Sequence, residues 1–212
     1  MQNIDSIDNV IGEIARRRTH QDLVMLGIAG SPGSGKSTVA EQIVAAWGGE
    51  AQLVPMDGFH LAQSVLANLG LAHLKGAPET FDSAGFLSLL DRVKSRGNDE
   101  VIYAPRFDRK IEEPIACALP IRPDTSVIVV EGNYLLLDDP QWRSVRSFLD
   151  FSCFLDVEND LRESRLVARH IEHGRTRSQA LSWMARVDGP NAARVEASRR
   201  NADFVFDLAN HG

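Results

Sequence analysis

Residues 27–44 read GIAGSPGSGKSTVAEQIV, and Gly30 to Ser37 within them fit the pattern G-x-x-x-x-G-K-[ST]. The flanks supply the setting that this pattern needs. Upstream, Leu23 to Ala29 form a continuous apolar run of the kind buried on both faces of a parallel sheet. Downstream, a helical run extends to about Trp47 and is closed by Gly48 and Gly49. Glycines at 30, 33 and 35 let the backbone curl so that successive amides point inward, and the following helix adds the positive end of its dipole. Such a loop is built to hold phosphate. Gly30, Ser31, Gly33, Ser34 and Gly35 form the cradle, Lys36 reaches the β- and γ-phosphates, Ser37 offers its hydroxyl to Mg²⁺, and Thr38 stands near the α-phosphate. The plain alternative, a glycine-rich turn followed by a solvated lysine, leaves the strand-loop-helix setting unexplained.

Outward from the loop, apolar strands alternate with helices. Residues 51–57 (AQLVPMD), 126–132 (SVIVVEG), 151–157 (FSCFLDV) and 202–206 (ADFVF) read as further strands. Ile4, Ile7, Val10, Ile11 and Ile14 recur at helical spacing, and Phe86, Leu87, Leu89, Leu90 and Val93 do the same behind a cap supplied by Thr80, Asp82 or Ser83. Residues 100–123 carry prolines at 105, 114, 120 and 123 and read as an irregular excursion outside the core. The rhythm predicts βαβ units, hence a three-layer α/β/α fold with a five-stranded parallel central sheet, in a single domain spanning 1–212.

In open α/β sheets, ligands sit outside the carboxyl ends of the strands. Asp57 ends the second predicted strand and Glu131 the third. If both strands flank the first, the two acids face the same crevice as Lys36 and Ser37. Transfer to an alcohol requires one carboxylate to accept the hydroxyl proton and another to hold Mg²⁺ or its water; Asp57 is assigned the first role and Glu131 the second. A helix cap or a solvated loop charge is the alternative for each acid.

Residues 160–178 (DLRESRLVARHIEHGRTRS) place Arg162, Arg165 and Arg169 on one helical face, with Arg175 and Arg177 beyond Gly174. Guanidinium groups spread positive charge over phosphate oxygens. Following the fourth strand of a phosphate-binding fold, this helix reads as a lid, against the alternative of a solvated face paired with Glu163 and Glu172.

Composition excludes other classes. A formal net charge of −6 argues against a sequence-independent nucleic-acid binder. The 2 cysteines, Cys117 and Cys153, form neither a CxxC nor a metal-ligand cluster. The sequence shows no apolar run long enough to span a membrane and no secretory leader, so a cytoplasmic setting without a membrane partner is expected. No feature indicates a homo-oligomer.

With these residues in hand, the chain resembles the uridine kinase, phosphoribulokinase and bacterial pantothenate kinase superfamily of P-loop kinases over nearly its whole length, and within it the small proteins described as fructose transport system kinases. The resemblance rests on the phosphate loop together with MDGFH at 56–60, KGAPETFD at 75–82, YAPRFDRKIEEP at 103–114, VEGNYLL at 130–136, the arginine helix and ADFVF at 202–206. It implies ATP and Mg²⁺ as cofactors and Asp57 as catalytic base. It implies Arg165 and Arg169 as phosphate contacts and Asp82 near substrate hydroxyls, with Arg106, Asp108 and Arg109 in a substrate-side segment. His60 either touches substrate or is merely exposed or capping. Phe59, Phe81, Tyr103 and Phe107 are either stacking surfaces or core.

The resulting expectation is an ATP-dependent kinase acting on a hydroxyl of a small polar metabolite, possibly a sugar such as fructose. The alternatives are a nucleoside or pantothenate kinase, or a nucleotide-binding regulator with slow hydrolysis. No N-K-x-D guanine signature occurs in the chain.

Overall fold

The computed structural model describes residues 2–97 and 99–207. Its elements in chain order begin with β1 (Gln2–Ile4), α1 (Ile7–Arg18), β2 (Val24–Gly30), α2 (Lys36–Trp47) and β3 (Ala51–Pro55). The middle of the chain supplies α3 (Gln63–Asn68), α4 (Ser83–Ser95), β4 (Ile102–Asp108), β5 (Glu113–Ile121) and β6 (Val127–Gly132). Then follow β7 (Phe151–Asp156), α5 (Asn159–Glu172), α6 (Arg177–Trp183), α7 (Gly189–Ser198) and β8 (Phe204–Asp207).

Among the described residues, six strands form one parallel sheet in the order β1-β8-β7-β2-β6-β3. The expectation of five strands is corrected by β1. Its backbone pairs with β8 from Gln2↔Phe204 to Ile4↔Phe206, so Ile4 belongs to an edge strand and not to the first helix. Helical spacing hid this strand, because three residues are too few to show a period of their own. The helix proper starts at Ile7, where the Ser6 hydroxyl accepts from the Asn9 amide at 3.2 Å.

Strand alternation sorts the core into two layers. Val24, Leu26 and Ile28 of β2 and Val127 and Val129 of β6 pack with Val10 and Ile14 of α1 and Val39 and Ile43 of α2. Met25, Ala29, Ile128 and Val130 face the other way, onto Phe86, Leu90 and Val93 of α4 and the fully buried Tyr134 and Trp142. The α/β/α sandwich expected from the sequence is thus present.

Two local corrections shape the site. The second core strand stops at Pro55, and Met56–Phe59 form a 3₁₀ turn, so Asp57 sits just beyond the strand end and not on it. The excursion at 100–123 is an antiparallel hairpin, β4 with β5, irregular between Ala104 and Arg106. Its prolines are tolerated because Pro105 falls at that irregularity and each strand of a two-stranded ribbon has a free edge.

Candidate active site

The strand order reverses beside β2, with β7 on one side and β6 then β3 on the other. The carboxyl ends of β2, β6 and β3 therefore share the crevice where open α/β sheets hold ligands. The loop from Ser31 to Gly35 rises from β2 into this crevice. Gly33 and Gly35 have φ of 84° and 88°, a left-handed backbone that an L side chain adopts only with strain. A Cβ on Gly33 would stand 2.7 Å from the Arg162 carbonyl oxygen and 2.8 Å from Leu166 Cγ, so α5 lies directly on the loop. The Ser31 hydroxyl donates to Glu196 Oε1 at 3.0 Å, whereas the buried Ser34 hydroxyl has no protein partner among the described residues. An orphaned hydroxyl, curled amides and the N-terminus of α2 suit an anion.

Alternation explains Glu131. It continues the Val127–Val129 row, which faces α2, and reaches Ser37 in that helix's first turn, with which it shares a side-chain hydrogen bond. Only 4% of Glu131 is exposed, and burial, with Asp57 adding to it, raises its pKa to about 7 against the opposing pull of Lys36 and the Ser37 bond. Burial likewise lowers the Lys36 pKa, while the Glu131 and Asp57 charges work to raise it.

Two glycines bring Asp57 alongside. A Cβ on Gly132 would lie 2.5 Å from Met56 Cβ, and Gly58 is pressed against the Pro105 carbonyl of β4. Side chains at either position would push the 3₁₀ turn off the sheet. Asp57 accepts from Arg109 Nη2 at 2.6 Å. Burial alone would raise the Asp57 pKa, but the positive charges of His60, Arg109, Lys36 and Arg169 outweigh it and hold the carboxyl below its ordinary value. His60 is itself held toward the neutral form by burial, so the permanent cations keep Asp57 ionised. The His60 ring lies 4.0 Å from Phe81 and 4.6 Å from Phe107 between centroids, and its Nδ1 is 2.8 Å from the Asp57 carbonyl oxygen.

These groups open onto a cavity of about 420 Å³. Lys36, Ser37, Asp57, His60, Arg109 and Arg169 line it. Several other predicted residues do not. Asp82 caps α4, its Oδ1 accepting from the Gly85 amide at 2.8 Å. Asp108 accepts from the Lys110 amide within the hairpin turn, and Arg106 is exposed on β4. Arg165 is exposed and stands beside the loop, its Nη1 3.6 Å from where a Gly35 Cβ would be.

The cavity wall also contains groups that the sequence did not single out. Asn133 lines it and leaves its buried Oδ1 without a partner among the described residues. On the side of α5 and α6, His170 Nε2 lies 2.7 Å from Asp188 Oδ2, and Arg175 Nη1 lies 2.8 Å from His170 Nδ1 with its guanidinium 4.1 Å from the Trp183 ring centroid. Because an arginine can only donate, His170 Nδ1 is the acceptor and Nε2 carries the proton given to Asp188. Asp188 is delivered by a π-helical turn, Met184–Asp188, which no periodicity announces. This wall of the cavity therefore extends well past residue 178, where the arginine-rich run ends.

Residues 25–211 match the phosphoribulokinase/uridine kinase family. The chain belongs to this family. It is an ATP-dependent kinase, with relatives that carry kinase names. A Schizosaccharomyces pombe protein provisionally named a uridine kinase is 33% identical to this kinase over 96% of the chain and 91% of the relative. A uridine kinase of Clostridium perfringens strain SM101 is 29% identical over 89% of the chain and 88% of the relative. In three dimensions the kinase is similar to a Silicibacter sp. TM1040 protein provisionally named a fructose transport system kinase, with a TM-score of 0.86 and 37% identity over 95% of this chain and 98% of the other. The fold, though not the sequence, extends to a circularly permuted P-loop protein of Saccharomyces cerevisiae, with a TM-score of 0.81 at 19% identity over 95% of the chain and 97% of its counterpart. Among the described residues, no helix of the kinase is long and apolar enough to cross a membrane.

Proposed function

We propose that this kinase transfers the γ-phosphoryl group of ATP to a hydroxyl of a small polyol, with Asp57 as the general base. The carrying observation is the convergence of Asp57, Lys36 and Ser37 on one cavity with Glu131 directly behind them. In the reaction, the acceptor hydroxyl gives its proton to Asp57 as its oxygen bonds to the γ-phosphorus, and the bond from that phosphorus to the bridging oxygen breaks to release ADP. An ionised Asp57, kept so by neighbouring cations, is in the form that accepts a proton.

Ser31, Ser34, Thr38 and the loop glycines hold the phosphates by backbone amides and hydroxyls, and Lys36 bridges to the outer phosphates. Ser37 and Glu131 fit Mg²⁺, a hard ion that takes oxygen from one or two side chains and completes its shell with phosphates and water. An Mg²⁺ ion held by Ser37 and Glu131 would supply positive charge against the phosphate oxygens. Arg169 contributes from the lid side of the cavity and Arg165 from beside Gly35.

The name of the Silicibacter relative makes fructose the first acceptor to try. The test is ADP release across a panel of alcohols, repeated with Asp57→Asn. Expected is an acceptor-dependent release that the variant loses by about 10²–10⁴-fold while binding nucleotide as before. Equal transfer by parent and variant removes Asp57 from the role of base.

A further inference from the structure

The acceptor end of the cavity is built around Phe107. Lys75 Nζ stands 5.6 Å from the centroid of its ring and Arg109 Cζ 5.4 Å, so two permanent cations converge on one aromatic plate beside Asp57. The Lys75 ammonium is held by neutral groups, the Glu112 carbonyl oxygen at 2.6 Å and the Gln63 amide oxygen at 3.3 Å. Among the described residues no carboxylate forms an ion pair with it. The Glu112 carbonyl that positions it comes from a residue with φ of 56°, at the turn of the hairpin. Arg109 is paired, but with Asp57, the group assigned the proton. The Arg109 side chain is 44% exposed and that of Asp57 23%, so the guanidinium is the end of the pair that water and an incoming anion can reach. The cations assigned to the nucleotide, Lys36 and Arg169, are separate from these two. A neutral sugar would leave Lys75 without a carboxylate partner and Arg109 on the base.

We infer that the acceptor is an alcohol carrying an anionic oxygen group, a carboxylate or a phosphate, which Lys75 and Arg109 clamp against Phe107 while its hydroxyl is presented to Asp57. This rests on the kinase reading above and narrows it. Free fructose supplies no such group; a sugar acid or a sugar phosphate does. Arg109 then has a second consequence. Before binding it occupies the base, and when the acceptor's anion draws it away the Asp57 oxygen is freed beside the incoming hydroxyl. Recognition of the charged end and exposure of the base are the same movement.

The test fills the phosphate loop first, with a non-hydrolysable ATP analogue and Mg²⁺, and then titrates inorganic phosphate into the loaded protein by calorimetry. Expected is saturable binding that weakens by about tenfold or more in Lys75→Met, since a charge-assisted bond is lost, and recovers in Lys75→Arg. Glycerate, glycerol 3-phosphate and glycerol are then compared as competitors. Displacement by either anion but not by glycerol supports the inference, and the stronger of the two identifies carboxylate or phosphate as the group recognised. No phosphate binding to the loaded protein, binding indifferent to Lys75→Met in a variant that unfolds at the parent's temperature, or displacement by glycerol as effective as by the anions overturns it. Failure of the analogue itself to bind is a different result and removes the kinase reading instead.

Discussion

Met56 Cβ lies 2.5 Å from the point that a Cβ on Gly132 would occupy. The absence of a side chain at one strand end thus decides where the next strand can deliver its carboxylate. Gly132→Ala must displace the turn that carries Asp57. Overpacking of this kind costs about 1–3 kcal/mol, so the melting temperature falls by several degrees. The turnover number should fall by at least about tenfold while nucleotide affinity stays within about twofold, because the phosphate loop is untouched. Thermal unfolding and steady-state kinetics check this together.

Glu131→Gln separates stability from function. The folded-state pKa of Glu131 is about 7, above the ordinary 4.5, so the folded protein binds the extra proton and the Glu131 contribution to stability falls as pH rises between those values. A glutamine mimics the protonated form. The nucleotide-free variant should therefore melt higher than the parent at pH 8, with the difference shrinking toward pH 4.5, and should lose the Mg²⁺ dependence of ATP binding. A variant that melts lower at pH 8 contradicts the sign.

Asp82 distinguishes a cap from a substrate ligand. Its carboxylate is spent on the Gly85 amide. Asp82→Ala should lower stability by about 1 kcal/mol, whereas Asp82→Ser, which can still cap, should restore it. Acceptor KM should be the same in both. A rise in KM that Asp82→Ser fails to rescue returns Asp82 to the substrate.

Trp183 tests whether this side of the cavity acts as a lid. Its ring carries the Arg175 guanidinium at 4.1 Å and that of Arg186 at 5.3 Å. Trp183→Ala removes a cation–π contact worth about 0.5–2 kcal/mol and should free Arg175 from His170. Hydrogen exchange in 170–188 should then accelerate severalfold, with exchange in the β6 core unchanged.

How much of this was written in the sequence follows the range of the forces involved. The phosphate loop was legible because strand, glycines and helix are contiguous, and each constrains its neighbour. Glu131 was legible because four apolar residues precede it and strand alternation fixes its face. Asp57 was found in the right crevice but one turn too early, since the stop at Pro55 depends on Gly58 and Gly132 meeting other segments. Lys75, Asn133 and the His170–Asp188 pair are brought to the cavity by loops, a hairpin turn and a π-helical turn, and no periodicity marks them. Asp82 looked like a ligand and is a cap, a role the capping alternatives had already contained. Arg106 and Asp108 share the hairpin with Arg109, but of the three only Arg109 lines the cavity.

The bare Gly33 under Arg162 and Leu166 bears on how α5 would move if it serves as a lid. With Arg162 and Leu166 seated on the loop, a movement of α5 that kept this contact would be a swing about it. The fulcrum of such a swing lies at residues 162–166 beside the loop, and the 6–10 residues from there to Glu172 give an arm of about 9–15 Å. A tilt of about 10° would carry the end of α5, next to Arg175, through roughly 2–3 Å. A small adjustment of the loop on filling would then be felt as a larger displacement at the opposite rim.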